Sequence, residues 1–154
     1  MVGIIFLLFC FFTILPFTTL LHELGHFFAA KLCNSQNIIV RIGSGKEMLK
    51  YKSGDTLFIF HMLPFGGNTV YELLKPTDLN FLIVSLGGPL LNGFVALLLL
   101  LPGFGHGTDL ITIWFQWIAL FNLWMCVFNI IPFKLTSYYS DGWSVIIFLR
   151  GMLK

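Results

Sequence analysis

The chain has 154 residues, of which 57% are hydrophobic and only 10% are charged, well below the roughly 25% that is typical of a soluble domain. Nine basic and seven acidic residues leave a net charge of +2, which is too small for the clustered basic face of a nucleic-acid-binding protein. These values exclude a disordered chain, a disulfide-rich secreted scaffold and an ordinary water-soluble enzyme. We therefore expect a lipid bilayer around most of the chain and no nucleic-acid partner.

Three segments have no ionisable side chain over the roughly 20 residues that a helix needs to cross the hydrocarbon of a bilayer. They predict a mainly α-helical membrane protein with spans at roughly residues 2–32, 80–101 and 110–132. The first segment has no basic n-region and no small-residue cleavage site, so we do not expect a signal peptide. We predict a single domain over residues 1–154 and make no prediction of its oligomeric state.

A polar motif, His22-Glu23-Leu24-Gly25-His26, lies within the first predicted span. Residues four apart share one face of a helix, so both imidazoles can bind one Zn²⁺ ion while Glu23 takes a proton from zinc-bound water. A structural zinc site normally has four protein ligands and no use for such a Glu. Ionisable side chains within a membrane helix also indicate function. The motif therefore predicts a catalytic zinc, and the alternative is a simple polar contact between helices.

The basic residues predict the orientation of the chain in the membrane. Six of the nine lie between Lys31 and Lys75, whereas the connection from Pro102 to Asp109 has none. The positive-inside rule therefore places the longer connection in the cytoplasm and the N-terminus outside.

The longer connection is predicted to be β-rich over residues 37–67, because β-branched and apolar runs alternate there with glycine turns. The strand Thr56–Leu63 is nearly all apolar, so it would be stable only if it entered the membrane or packed on the helices. After the third span, residues 142–154 are too few to cross the bilayer and predict a short interfacial helix.

A catalytic zinc needs a third protein ligand beside the two His residues. The cytoplasmic position of His26 excludes His106 and Asp109, which are predicted to lie outside. Asp141, His61 and a few acidic residues of the polar stretch remain. We favour Asp141, because it follows the third span on the same side as His26 and the glycine after it permits a tight turn. His61 is then a structural residue.

The motifs, in their order along the chain, resemble the site-2 protease family of intramembrane zinc metalloproteases. The parts that carry this resemblance are His22–His26, Gly43-Ser44-Gly45 with Thr56–Gly67, Gly88-Pro89-Leu90-Leu91-Asn92, Asn129-Ile130-Ile131-Pro132 and Asp141-Gly142. The resemblance implies three core membrane helices, a membrane-associated β-hairpin between the first and the second, and zinc bound by His22, His26 and Asp141. It also implies a minimal catalytic core, although the turn over residues 133–140 is longer than the family usually has.

Two asparagines in the predicted spans have a possible role in binding the substrate. The resemblance makes Asn92, and less so Asn129, a candidate contact for the scissile carbonyl or the developing oxyanion near zinc. The alternative is that each side chain bonds a neighbouring helix, a gain of about 1 kcal/mol, and for Asn129 this is the preferred interpretation.

We therefore predict an integral membrane zinc endopeptidase, with Glu23 as general base, that cleaves in or next to a transmembrane segment of a membrane-bound protein or peptide. An exposed edge of Thr56–Leu63 is expected to hold the unwound substrate by strand addition. The resemblance suggests a bacterial plasma membrane, and the predicted site faces the cytoplasm. The alternatives are a non-catalytic relative, which need not keep Glu23, and a metal-ion transporter, which would need polar residues through several helices.

Overall fold

The computed structural model describes residues 2–101, 107–135 and 138–152. The elements in order are α1 (Val2–Leu32), β1 (Ser35–Ser53), β2 (Thr56–Leu73), α2 (Asp78–Leu100), α3 (Leu110–Ile130), β3 (Lys134–Leu135), β4 (Tyr138–Tyr139) and α4 (Asp141–Met152). The predicted three long helices, with a β segment between the first and the second, are confirmed. His106, which was predicted to lie outside, falls outside the described residues.

The three long helices are apolar and have 31, 23 and 21 residues, enough for each to cross a membrane. Large apolar side chains on all three are exposed, among them Ile4, Leu97 and Leu120. Contiguous exposed apolar surface of this kind is rare on a soluble monomer. Thr77 caps the start of α2 by accepting a hydrogen bond from the Asn80 amide, and Asp109 caps α3.

The β segment is longer than predicted, since it covers Ser35–Leu73 instead of 37–67, and it consists of two long strands instead of several short ones. Its glycine-rich positions do not end a strand: β1 continues through Gly43 and Gly45, both at positive φ, and β2 continues through the predicted closing residues 64–67. The register shifts repeatedly along β1, so bulges take the place of the expected breaks.

The prediction that Thr56–Leu63 offers a free edge is wrong for residues 56–60. These residues pair on one side with residues 49–53 across the hairpin turn and on the other side with residues 38–42. Residues 39–42 pair in turn with residues 67–70. The segment Gly67–Leu73 is therefore an edge of the sheet, and no described strand pairs with its outer side.

The sheet lies along α1 over much of its length. At the C-terminal end of the helix, Lys31 Nζ is 2.6 Å from Asp55 Oδ1. Twenty residues earlier on α1, the Phe11 ring contacts Phe65 with a centroid distance of 5.7 Å. Twenty helical residues span about 30 Å, which is close to the thickness of bilayer hydrocarbon. The sheet thus extends along α1 over a distance similar to the thickness of the bilayer hydrocarbon, which is long enough for a hairpin that enters the membrane.

The helices α1 and α2 pack closely through glycines. A side-chain carbon at Gly25 would collide with the Gly87 carbonyl, and one at Gly87 would lie 2.5 Å from the Gly25 carbonyl oxygen. Beside this contact, a buried cluster joins α1, α2 and the sheet: Ala29, Ala30, Cys33, Ile38, Val40, Ile42 and Val84. A second cluster of Cys10, Ile14 and Ile118 joins α1 to α3.

The turn between α3 and α4 is closed by hydrogen bonds at its ends. The Ser140 amide donates to the Phe133 carbonyl at 3.1 Å, and the Ser140 hydroxyl donates to the Ile131 carbonyl at 2.8 Å. The same hydroxyl accepts from the Trp143 amide at 3.1 Å and so caps α4. The extra residues of this turn therefore do not carry Asp141, the first residue of α4, away from the end of α3.

Candidate metal centre

Three side chains that can bind a metal converge where α1 meets the start of α4. Among the described residues, His22, His26 and Asp141 have ligand atoms that all lie within 4.8 Å of one another. The two His Nε2 atoms are 3.2 Å apart, and they lie 3.2 and 3.4 Å from the two carboxylate oxygens of Asp141. These are the three ligands predicted from the sequence.

The spacing of these atoms suits a tetrahedral zinc site. Zinc binds imidazole nitrogen and carboxylate oxygen at about 2.0–2.1 Å, and a tetrahedral angle then separates the ligand atoms by about 3.3–3.4 Å. The two Nε2 atoms are 3.2 Å apart, and each lies 3.2 or 3.4 Å from a different oxygen of Asp141, so each of these distances is near this value.

Hydrogen bonds on the other side of each imidazole set the proton positions. His26 Nδ1 lies 2.7 Å from the Val84 carbonyl oxygen, which can only accept, so Nδ1 carries the proton. His22 Nδ1 lies 3.0 Å from Asn92 Oδ1 and donates to it. In both rings Nε2 is left with a lone pair that points into the cluster, the arrangement that metal-binding histidines usually have.

The electrostatics of the cluster favour a cation. Burial raises the pKa of the Asp141 carboxyl, but the imidazoles of His22 and His26 lower it by more, so the pKa lies below its usual range and the group is ionised. Its buried Oδ2 has no hydrogen-bond donor among the described residues. Two nitrogen lone pairs and a carboxylate this close repel one another unless a proton or a cation lies between them. The residues present therefore fit a zinc ion.

Glu23 is buried on the same helix and is held by the edge of the sheet. Thr69 donates its hydroxyl hydrogen to Glu23 Oε2 at 2.6 Å. A side-chain carbon at Gly67 would lie 2.5 Å from Glu23 Oε1, so the glycine leaves the space that this oxygen occupies. Glu23 makes no ion pair with a Lys or Arg in the described chain, which leaves its carboxylate available to accept a proton.

The cluster opens on one side into a cavity of about 360 Å³. Glu23 and Asn129 line this cavity together with the three ligand residues. Its other lining residues are mostly polar: Gly67, Asn68, Thr69, Tyr71, Val84, Ser85, Tyr139 and Ser144. Burial raises the pKa of Tyr71, so its phenol stays protonated and can donate a hydrogen bond. Three ligands beside an open, polar cavity resemble a catalytic zinc site more than a structural one.

The two predicted substrate contacts differ in position. Asn129 lies at the cavity and donates to the Met125 carbonyl at 2.9 Å on its own helix. Asn92 is fully buried, does not line the cavity, and uses both polar atoms within the protein. In this structure the Asn92 amide bonds His22, Thr18 and Asn122, and its predicted contact with the substrate stays a prediction. His61 lies apart from the cluster, with Nδ1 3.3 Å from the Ile42 carbonyl oxygen.

Sequence reasoning did not identify several residues that shape the site. Gly88 lies against both imidazoles. A side-chain carbon there would lie 2.8 Å from His22 Cε1 and would collide with His26 Nε2. Thr69 and the Val84 carbonyl gave no recognisable signal, since neither belongs to a motif. Ser140 could have been found as a cap, because Ser directly before a helix that begins with Asp is a typical start signal.

Comparison with known sequences agrees with this geometry. The sequence profile described as Peptidase family M50 matches residues 10–112, which is 103 of the 154 residues. The chain belongs to peptidase family M50, the site-2 protease family. The matched residues of this M50 protein include His22, Glu23 and His26 but end before Asp141, whose assignment rests on geometry.

Similar bacterial proteins are named as candidate zinc metalloproteases. One from Helicobacter pylori strain J99 is 38% identical over 64 residues, which cover 42% of this chain and 17% of the relative. One from Neisseria meningitidis serogroup A is 29% identical over 102 residues, which cover 56% of this chain and 23% of the relative. One from Treponema pallidum is 39% identical over 54 residues, which cover 35% of this chain and 12% of the relative.

The matches span less than a quarter of the length of these curated relatives. The family and the names of the relatives support a metalloprotease, and the three long apolar helices point to an integral membrane protein.

Proposed function

We propose that this protein is an intramembrane zinc endopeptidase that hydrolyses a peptide bond in or next to a transmembrane segment of a membrane-bound protein or peptide. One observation carries the proposal: three ligand atoms that all lie within 4.8 Å of one another open into a cavity that Glu23 also lines. His22, His26 and Asp141 would hold the zinc ion, which would supply a Lewis acid to activate water and polarise the scissile carbonyl.

Glu23 is the general base in this proposal. Its carboxylate removes a proton from the attacking water and returns the proton to the leaving amine. The hydrogen bond from Thr69 restrains Oε2 at 2.6 Å, so the carboxylate is oriented before substrate binds. Asn129, at the cavity, is suitably placed to donate an amide hydrogen to the carbonyl oxygen as negative charge develops on it.

The edge segment Gly67–Leu73 is the proposed binding surface for the substrate backbone. A helical substrate hides its peptide bonds, so it must unwind locally before hydrolysis. The outer side of this edge can pair with an extended chain by strand addition. Four residues of the segment, Gly67, Asn68, Thr69 and Tyr71, also line the cavity, so a chain added there would pass beside Glu23.

The location of the site is also part of the proposal. His26 lies six residues before the C-terminal end of α1, about 9 Å along the helix axis. The positive-inside rule places this end at the cytoplasmic surface. Water then reaches the cavity from the cytoplasm, in a bacterial plasma membrane if the similarity to bacterial relatives extends to location.

The proposal is tested by comparing membrane peptides from cells that produce the wild-type protein or Glu23→Gln. Elemental analysis of the purified proteins provides the zinc content. We expect new peptide termini within or beside membrane segments only with the wild type, and equal zinc in both proteins, because Glu23 acts as a base and not as a ligand.

The matched control is Glu47→Gln, the same change at an exposed glutamate of β1 that pairs with Lys50. It should behave as the wild type. Identical peptide termini with the wild type and Glu23→Gln would favour a non-catalytic binding protein. Loss of zinc in Glu23→Gln would instead make Glu23 a ligand and contradict the proposed mechanism.

A further inference from the structure

A chain of buried amide side chains connects α3 to the metal cluster. Asn92 on α2 and Asn122 on α3 are both fully buried, and Asn92 Nδ2 donates to Asn122 Oδ1 at 2.8 Å. Asn122 donates its own Nδ2 hydrogen to the Ile118 carbonyl one turn earlier, also at 2.8 Å. Buried amides need partners, and these two share one hydrogen bond while their other bonds go to His22, Thr18 and Ile118.

The surroundings of Asn92 determine which way its amide group points. Its Nδ2 has two hydrogens, and two acceptors face it: Asn122 Oδ1 at 2.8 Å and the Thr18 carbonyl at 3.2 Å. Asn122 presents oxygen at this point because its nitrogen is already bonded to Ile118. With its nitrogen held by these two acceptors, the amide of Asn92 can present only its oxygen to His22.

That oxygen meets His22, with Asn92 Oδ1 3.0 Å from His22 Nδ1. An acceptor at this position keeps the ring proton on Nδ1 and leaves the Nε2 lone pair directed at the cluster. A reversed amide would present hydrogens to Nδ1, which would stabilise the tautomer with its proton on Nε2. That tautomer cannot bind a metal through Nε2.

We propose that Asn122 is a positioning residue that sets the zinc affinity of His22 through Asn92. In the described structure it makes no hydrogen bond to a ligand residue, yet together with the Thr18 carbonyl it fixes the orientation of the Asn92 amide. The inference rests on the proposed zinc site. It gives α3 a role in metal binding that differs from the packing of α3 against α1 and α2.

The proposal is tested on the full chain in detergent by measuring the zinc dissociation constant by competition with a chelating indicator. Groups that hold metal ligands in place typically contribute 10–100-fold to metal affinity. We expect Asn122→Leu to weaken zinc binding about 10-fold or more. Asn122→Asp, as a neutral acid, can still accept from Asn92 and donate to the Ile118 carbonyl, so it should stay within about threefold of the wild type.

A double-mutant cycle separates this role from ordinary packing. If Asn122 acts through Asn92, zinc binding by the double variant Asn92→Leu/Asn122→Leu should be no weaker than by Asn92→Leu alone. Thermal unfolding of the metal-free proteins is measured in parallel, because a packing role would lower the midpoint without changing the affinity of the folded protein. If Asn122→Leu does not fold, Asn122→Ala removes the same acceptor without adding bulk.

Two results would overturn the inference: an unchanged dissociation constant in Asn122→Leu, or effects of Asn92→Leu and Asn122→Leu that simply add. Failure of Asn122→Asp to keep its affinity would also contradict it. If the wild-type protein itself bound no zinc, the proposed function would fail, which is distinguishable from failure of the Asn122 inference.

Discussion

At the scale of single residues, Asp141 is placed by its two neighbours. Ser140 is held against the end of α3 by its bonds to Ile131 and Phe133. A side-chain carbon at Gly142 would collide with the Ile130 carbonyl, so only glycine lets α4 begin this close to α3. The carboxylate between them is thereby brought to the two imidazoles of α1.

The first prediction concerns the third zinc ligand. Asp141→Asn should lose most of its bound zinc, because a neutral amide is a poor substitute for a carboxylate ligand. His61→Ala should keep its zinc and most of its activity, since His61 lies apart from the cluster. Zinc content of the two purified variants is the measurement. Zinc kept by Asp141→Asn and lost by His61→Ala would reverse the assignment.

The second prediction uses substitutions at two glycines to distinguish a displaced general base from a lost metal. Gly67→Ala should displace Glu23, whose Oε1 lies 2.5 Å from the position of the added carbon, and so reduce cleavage at least about 10-fold with zinc retained. Gly88→Ala should lose both zinc and cleavage, because its added carbon meets both imidazoles. Cleavage and zinc content are measured on the same preparations. Normal cleavage by Gly67→Ala would show that Glu23 tolerates the shift.

At the scale of elements, two contacts of α1 build the site. Its glycine contact with α2 brings Gly88 and the Val84 carbonyl to the imidazoles. Its contact with the sheet brings Thr69 to Glu23. The first contact depends on Gly25 of α1, and the second on Gly67 of β2, because a larger side chain at either position would meet atoms of the other element.

The third prediction tests the contact between α1 and α2. Gly25→Ala should destabilise the protein by about 1–3 kcal/mol, the typical cost of overpacking, because the added carbon meets the backbone of Gly87 and Gly88 and no flexible side chain. Gly3→Ala is the matched control on the same helix, since nothing lies within 4 Å of its added carbon, and it should be neutral or slightly stabilising. Thermal unfolding in detergent measures both. Equal midpoints for the two variants would contradict the close contact.

At the scale of the whole molecule, the basic residues are concentrated in one part of the chain. Six of the nine lie between Lys31, at the C-terminal end of α1, and Lys75, after the sheet. The cavity lies between that end and α4. If these basic residues face the cytoplasm, the cavity has access to water from that side.

The fourth prediction tests this orientation. Reporter domains fused after Lys52 and at Gly105, which lies outside the described residues, should be found inside and outside the membrane respectively, because basic loops remain in the cytoplasm. Reporter enzymes that are active on only one side of the membrane provide the measurement. The opposite pattern would reverse the proposed orientation of the chain, and water would then reach the cavity from the outer face of the membrane.

Local signals in the sequence determined the helices, their order and two of the proposed ligands. The limits of α1, predicted as 2–32, agree with Val2–Leu32, and α2 and α3 begin and end within two residues of prediction. His22 and His26 are on one face of a helix whatever surrounds them, because spacing along a helix is set by its own geometry. The chain order of the motifs was also enough to indicate the family.

Tertiary structure alone decided the free edge of the sheet and the hydrogen-bond partners of Asn92 and Asn122. Strand pairing joins residues far apart in sequence, so no local pattern showed that residues 56–60 have neighbours on both sides while Gly67–Leu73 does not. An amide in a membrane helix can bond its own helix, a neighbouring helix or a substrate, and composition does not distinguish these. Asn92 faces His22 because α1 and α2 approach at glycines, and it faces Asn122 because α3 packs on α2; both contacts exist only in the folded protein.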